Sequence, residues 1–493
     1  MNDENDTIGN SNMSKKSKVV RLFKDDKPSV AKAAFWYLLC QFLIRGMTFF
    51  TTPIFTRIMS QEEFGAISNF LSWQGLLYPL LTLNLSGSIG KAKYIYEDFK
   101  TFLCSIMTAS SISTVIMGSI FLVLIQTEII TFNMPIMIFL DLLLYSVSLL
   151  VFNYQQSYYN VLYRYKKYVF QSVLYAFLSV GMSVILVLTM EDRIKARILG
   201  IVVPSVIIAL VIYISVWVES RTVKKSMIVF AARFSIPLIL STLANQIIAT
   251  SDKVMITNYC GERDNALYTV AYSVSSMASI LWSALNQAWA PWLRDSLSRK
   301  EYGRISQFSK LLSGFYIAII VFLMLIAPEI VLVMGGKQYM ESVYVMPPVI
   351  LSMVFQFFYA YYFEIEYLNE KPIIFSLGTM IAAIVNVVLN IWLIPMHGYI
   401  AAAYTTLCSY GIMFLYHFLI VKIRLKMSYV YDTTFIFGCL LVCFVIQFMV
   451  MTIYSNSFIR YALIVLYTVI LLLIAYNKRE DIKGYVMRFI VKK

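Results

Sequence analysis

Charge and histidine are both scarce in this chain of 493 residues, and each shortage removes a class of function. Charged residues make up 14% of it and hydrophobic residues 59%, too little polar surface to clothe a soluble globule of this length. The two histidines are His397, in the turn Pro395-Met396-His397-Gly398, and His417, near the end of an apolar run. Structural roles are expected for both in preference to catalysis. Six cysteines (Cys40, Cys104, Cys260, Cys408, Cys439, Cys443) fall mostly within apolar runs and read as small packing residues, not as a disulfide or metal framework. No G-x-x-x-x-G-K-[ST] occurs, because Gly335-Gly336-Lys337 is followed by Gln338 and lacks the upstream glycine; nucleotide hydrolysis at a P-loop is thereby excluded. The polar stretch 1–32 has no short apolar core with a small-residue cleavage site, so no signal peptide is expected and insertion would use the first span.

Apolar runs of about 20 residues fill the chain instead, each enough to cross a bilayer as a helix. Fourteen are expected, at 33–57, 66–89, 103–125, 135–154, 170–190, 198–218, 235–259, 266–292, 308–334, 343–364, 373–394, 398–420, 432–453 and 458–476. The predicted fold class is an all-α polytopic membrane protein. The net charge of +14 does not point to nucleic acid, because Lys and Arg gather in alternate loops. That is the pattern of topology determinants facing anionic lipid, and it places both termini in the cytoplasm. The loop 191–197, with Arg193, Lys195 and Arg197, breaks the pattern.

A weak repeat underlies the spans. Lys167 and Arg221 bracket a span pair, as Lys371 and Arg424 do about 203 residues later, and Glu63-Phe64-Gly65 is loosely echoed by Asn265-Ala266-Leu267. Six helices per half keep both halves in the same orientation. The expectation is two parallel six-helix bundles around a central cleft, plus two C-terminal helices, a plan typical of secondary transporters. The divisions read as a basic segment 1–32, bundles at 33–220 and 221–425, added helices at 426–476 and a basic tail 477–493.

A charge at membrane depth costs at least about 2.5 kcal/mol, so each one in a span asks for a partner or a wet cavity. Arg45 lies near the midplane of the first span, with Gln41, Thr48 and Thr52 on its face. Asp252 and Lys253 are adjacent in the seventh span and point roughly 100° apart, so they cannot simply neutralise each other. Asn245 shares the Asp252 face and Gln246 the Lys253 face. Candidate substrate contacts are therefore Arg45, Lys253, Gln41 and Gln246; candidates for gating or ion coupling are Asp252 and Asp141, the latter with Tyr145 and Ser148 on one face. A plainer reading has Arg45 paired with a carboxylate for packing and Asp252 satisfying Lys253 through a neighbouring helix. Glu364 and Glu366 follow some twenty apolar residues and are expected at a solvated helix end. Asn386 and Asn390, four apart, are expected to hydrogen-bond between helices.

Three ordered motifs then carry a resemblance. The central one runs Phe234-Ser235-Ile236-Pro237-Leu238, Ser251-Asp252-Lys253-Val254-Met255-Ile256, Ala266-Leu267-Tyr268-Thr269-Val270-Ala271-Tyr272 and Ala288-Trp289-Ala290-Pro291. The second is Asn386-Val387-Val388-Leu389-Asn390 with Ile394-Pro395 and Gly398-Tyr399-Ile400-Ala401-Ala402-Ala403-Tyr404-Thr405-Thr406; the third is Phe55-Thr56-Arg57-Ile58-Met59 with Glu63-Phe64-Gly65. Over about residues 30 to 425 the chain resembles the polysaccharide-transport (Wzx-type oligosaccharide flippase) family of the multidrug/oligosaccharidyl-lipid/polysaccharide exporter superfamily. Leu267 and His397-Gly398 depart from a usual Gly and a usual aromatic-Gly. The resemblance implies a non-enzymatic flippase that moves undecaprenyl-pyrophosphate-linked repeat units by alternating access, for O-antigen, capsule or exopolysaccharide. It needs no cofactor beyond coupling to H+ or Na+, and would work beside a polysaccharide polymerase and a chain-length regulator. Rival readings are a multidrug–cation antiporter or lipid II flippase of the same superfamily. A third, an integral-membrane glycosyltransferase, is disfavoured by outer loops too short to assemble a catalytic site.

Overall fold

The computed structural model describes residues 49–129, 134–369 and 372–477. Among them the regular structure is helical, without strands, as backbone groups in hydrocarbon require. The principal helices are α1 (49–58, the described part), α2 (Gln61–Leu81), α3 (Phe99–Gln126), α4 (Ile136–Val161), α5 (Tyr165–Thr189), α6 (Arg193–Ser220), α7 (Lys225–Cys260), α8 (Glu262–Ser298), α9 (Tyr302–Leu325), α10 (Met346–Asn369), α11 (Pro372–His397), α12 (Tyr399–Leu419), α13 (Thr433–Ile453) and α14 (Ser457–Asn477). Eleven of them, α3 to α7 and α9 to α14, are long and apolar enough to cross a membrane. The expected spans at 66–89 and 266–292 correspond to α2 and α8, which are more polar because they face each other between the halves. The chain leaves the helix earlier than 89, since Leu83 and Asn84 adopt left-handed backbone.

Local sequence sets the helix starts. Ser60 and Glu63 form a reciprocal capping box on α2, with Glu63 N–H donating to Ser60 Oγ (3.1 Å) and Ser60 N–H to Glu63 Oε2 (2.7 Å). Asp98, Asp192 and Asp432 cap α3, α6 and α13 by accepting from backbone N–H groups three residues on. At the α7–α8 junction one residue turns the chain: Gly261 has φ +97° and ψ 174°, a region open in practice only to glycine.

The repeat is visible in the packing. α5 lies along α6 and α4 against α6 in the first half, as α11 lies along α12 and α10 against α12 in the second. Close approach is bought with glycine in both: a Cβ on Gly200 would meet the Ser183 backbone, and one on Gly378 would meet Tyr416 and His417. The second half has the larger core, built on aromatic rings. Tyr316 stacks on Phe357 (4.4 Å), and Trp282 meets Phe357 edge-on (4.5 Å). α13 and α14 clasp its outside, where Tyr454 and Tyr467 donate to the Met324 and Ala318 carbonyls (2.8 and 3.0 Å). α14 has only 6% of its span buried, so nearly all of it meets lipid.

Candidate functional site

The halves meet along α2, which packs on both α7 and α8. The end carrying the α1–α2 and α7–α8 turns is termed outer, after the loop charges. There the family-like motifs come together: a Cβ on Gly65 would overlap the Glu262 carbonyl oxygen and lie 2.6 Å from its carbon. Asn265 Nδ2 donates to the Gly65 carbonyl (3.0 Å), Ser68 and Thr269 share a hydroxyl bond (2.5 Å), and Asn69 Nδ2 donates to Glu262 Oε1 (3.3 Å). α1 adds Thr56 Oγ1 to the Met334 carbonyl (2.6 Å) and Arg57 to the Val333 carbonyl (2.9 Å). Arg263 bridges Gln61 (3.1 Å) and Glu341 (3.0 Å). Polar contacts thus close the outer end between the halves.

Asp252 does not point into this seam. It is buried inside the second half, and its Oδ2 accepts from Tyr268 Oη of α8 (2.5 Å) and Thr406 Oγ1 of α12 (2.8 Å). Its Oδ1 has no hydrogen-bond partner among the described residues. Beside it, Ser251 Oγ donates to Asn386 Oδ1 (3.1 Å), Asn390 Nδ2 donates to the same oxygen (3.2 Å), and Thr405 Oγ1 donates to Asn390 Oδ1. The two asparagines link helices, as expected. One buried carboxylate, two amides and three hydroxyls from α7, α11 and α12 make a compact oxygen-rich cluster.

Lys253 turns the other way. It is half-buried, with Nζ 5.2 Å from the Tyr272 ring centroid. Gln246, two helical turns earlier on the same α7 face, brings its amide against Gly75 of α2. At Gln246 that face of α7 therefore looks toward the first half, whereas Lys253 meets a ring of α8 and Asp252 looks into the second half. Arg45 and Gln41 lie outside the described residues. Asp141, in the outer part of α4, is half-buried, in the field of Lys195.

One expectation is corrected. Glu364 and Glu366 are not at a solvated helix end, because α10 continues to Asn369 and α8 and α12 cover it. Glu364 accepts from Arg294 Nε (2.8 Å), and Glu366 pairs with fully buried His417 (3.0 Å). The loop 191–197 also has an account: Asp192 caps α6, Arg193 reaches toward Glu63 (3.9 Å), and Arg197 turns inward. Arg197 donates to Ser183 Oγ and lies over the Phe55 ring (3.7 Å), near the Tyr145–Tyr175 hydroxyl pair (3.2 Å). A cation held by a hydroxyl and a ring therefore sits inside the first half. Sequence reasoning assigned no role to Arg197, Tyr268 or Thr406. The signal for Arg197 was its place immediately before the apolar run 198–218, and for the other two, their places in the motifs.

Comparison with known proteins agrees with this architecture. The lipid II flippase MurJ in an inward closed conformation superposes with TM-score 0.64 at 16% identity, covering 90% of this chain and 99% of that one. A multidrug resistance MATE family transporter in an inward-facing conformation gives 0.54 at 13% identity over 80% and 98%. Both likenesses are of fold. A Haemophilus influenzae protein of the Lsg locus is 26% identical over 336 residues, covering 64% of this chain and 79% of its own. The polysaccharide biosynthesis protein family matches residues 30–297, and with more than half of its length inside that match, this chain belongs to the polysaccharide biosynthesis protein family.

Proposed function

We propose that the protein flips undecaprenyl-pyrophosphate-linked oligosaccharide repeat units from the cytoplasmic to the outer leaflet of a bacterial inner membrane, by alternating access, for surface polysaccharide synthesis. The observation that carries this reading is the seam. Each half has its own dense interior, while the joint between them at the outer end consists of polar contacts that water can replace, closed over Gly65. A pyrophosphate and its sugars cannot cross hydrocarbon unaided; they need a wet path with cations beside it. Lys253 and Gln246, on one face of α7, and Arg45 with Gln41 are assigned to the headgroup. Asp252, with Ser251, Asn386, Asn390, Thr405 and Thr406, is assigned to a coupling proton or Na+, since hard monovalent cations take oxygen ligands. Asp141 is assigned to gating. Both termini are placed in the cytoplasm, with polymerase and chain-length regulator as working neighbours.

The test is genetic and chemical together. Deletion should leave lipid-linked repeat units on the cytoplasmic leaflet and remove surface polysaccharide. Arg45→Ala and Lys253→Ala should insert stably yet fail to restore it. Unchanged surface polysaccharide in a strain without a second flippase would refute the substrate assignment. Rescue of lipid II export by this chain would move it to the lipid II reading, and drug resistance lost on deletion would move it to the antiporter reading.

A further inference from the structure

Away from the seam, four helix ends of the first half enclose a second site. The start of α3, the end of α4, the start of α5 and the end of α6 converge at the inner end around an open cavity of about 120 Å³, the room of roughly four waters, which suits a small polar headgroup and not a drug-sized ligand. Its walls carry Lys100, Arg164, Lys167, Gln155, Ser215 and Glu219. The frame is fixed locally. Thr101 Oγ1 meets Ser220 Oγ (3.0 Å), Phe99 stacks on Tyr158 (5.0 Å), and Gln156 Nε2 donates to Gln171 Oε1 (3.2 Å). Tyr163, at φ +57°, turns the chain so that Arg164 opens α5.

Three cations and one carboxylate line the cavity, and that carboxylate, Glu219, pairs with Lys100. A second observation is independent of charge. Gln155 is only 6% exposed, and its Oε1 has no hydrogen-bond partner among the described residues. An amide can present either its NH2 or its oxygen by a half-turn, so this side chain is ready to meet a phosphate oxygen or a hydroxyl brought by a ligand. Leu103 and Val216 complete the wall, and Trp217 and Val218 beside it are exposed as lipid-facing side chains are.

We propose that this cavity binds a hydroxylated phosphate ester, and that its source is the headgroup of phosphatidylglycerol-type lipids of the inner leaflet. Basic pockets between spanning helices on the cytoplasmic side are suited to such headgroups. The site is separate from the transport path, so the proposal stands whatever the transported substrate is.

The experiment uses the full-length protein in detergent, with native mass spectrometry and thermal shift read against added phosphatidylglycerol, phosphatidylcholine and soluble glycerol 3-phosphate. Phosphatidylglycerol should be retained and should stabilise, with salt weakening the effect, while phosphatidylcholine does neither. Lys167→Gln should lower retention about fivefold, the worth of one cation near a membrane surface, and Gln155→Leu should lower it while leaving the protein folded. Lys166→Gln, outside the cavity, should leave it unchanged. Equal retention of both lipids, or retention unaffected by Lys167→Gln and Gln155→Leu, overturns the site. Stabilisation by glycerol 3-phosphate without retention of the lipid overturns the lipid assignment.

Discussion

Gly65→Ala tests the seam at its tightest point. The new Cβ would overlap the Glu262 carbonyl oxygen and sit 2.6 Å from its carbon, and neither atom can swing away, because both belong to helical backbone. α2 and α8 must therefore part by roughly 1.5 Å to reach ordinary contact. Three bonds are stretched or lost: Asn265 to the Gly65 carbonyl, Ser68 to Thr269 and Asn69 to Glu262. At about 0.5–1.5 kcal/mol each, their loss costs about 1.5–4.5 kcal/mol. That disfavours the outer-closed arrangement by a factor of roughly ten to a thousand, at 1.4 kcal/mol per tenfold. The readout is a single cysteine at Ser72, two turns inward on the same α2 face and 2% exposed, placed in a chain with the six native cysteines replaced. A membrane-impermeant maleimide added outside should label it at least about tenfold faster in Gly65→Ala than in the Gly65 parent, since the labelling rate follows the open population. An unchanged rate in a protein that still folds would refute the idea that this joint holds the outer end shut.

Three further outcomes follow from particular contacts. Asp252→Ala should lower the melting temperature in detergent, because Tyr268 and Thr406 lose their acceptor in the core at about 1–3 kcal/mol apiece; Asp252→Asn keeps an acceptor and should melt near the parent while losing any H+ or Na+ dependence of transport. Gly378→Val should destabilise by about 1–3 kcal/mol, since its side chain would strike Tyr416 and His417, and an unchanged melting curve would show that α11 and α12 are not in contact there. Hydrogen bonds from Thr101 hold the Asp98 carboxyl below its ordinary range, so this cap contributes fully above the unfolded pKa of about 3.9 and is lost as pH falls through the lowered folded value; Asp98→Asn should make the acid limb of a melting profile shallower.

Much of the fold was legible because hydrocarbon leaves the backbone few choices. Long apolar runs marked the helices, and the 203-residue offset anticipated packing in which α5 on α6 is repeated by α11 on α12. Asp252 was legible as a place too, since a carboxylate in a span must find partners. Its partners were not. Tyr268 is 16 residues away and Thr406 is 154, and no periodicity along one helix says which neighbour will face it. Glu366 failed for a related reason. Twenty apolar residues before it looked like a finished span, but solvation of a helix end depends on what packs beside it, and α12 supplies His417 from 51 residues on. Arg197 was hidden by the rule that made the rest readable, for the count of loop charges cannot tell an arginine in water from one folded back over Phe55.

The placement of charge and aromatic surface explains where such a molecule can move. Within the second half, Trp282, Tyr316, Phe357 and Tyr361 interlock at centroid distances of 4.4–6.3 Å, and separating them would expose large apolar areas at about 25 cal/mol per Å². The inward-turned ionic groups, buried Asp252 in one half and half-buried Arg197 in the other, are likewise held by contacts within their own half, so the halves can part without stripping either of its partners. At the outer seam the contacts are of another kind: hydroxyls, amides, carbonyls, carboxylates and guanidinium groups, each able to exchange its partner for water at a net cost of about 1 kcal/mol. A joint that must open into an aqueous path gains from being polar, because its open state is solvated instead of sticky. Filling it with leucine would strengthen closure and remove the low-cost route back.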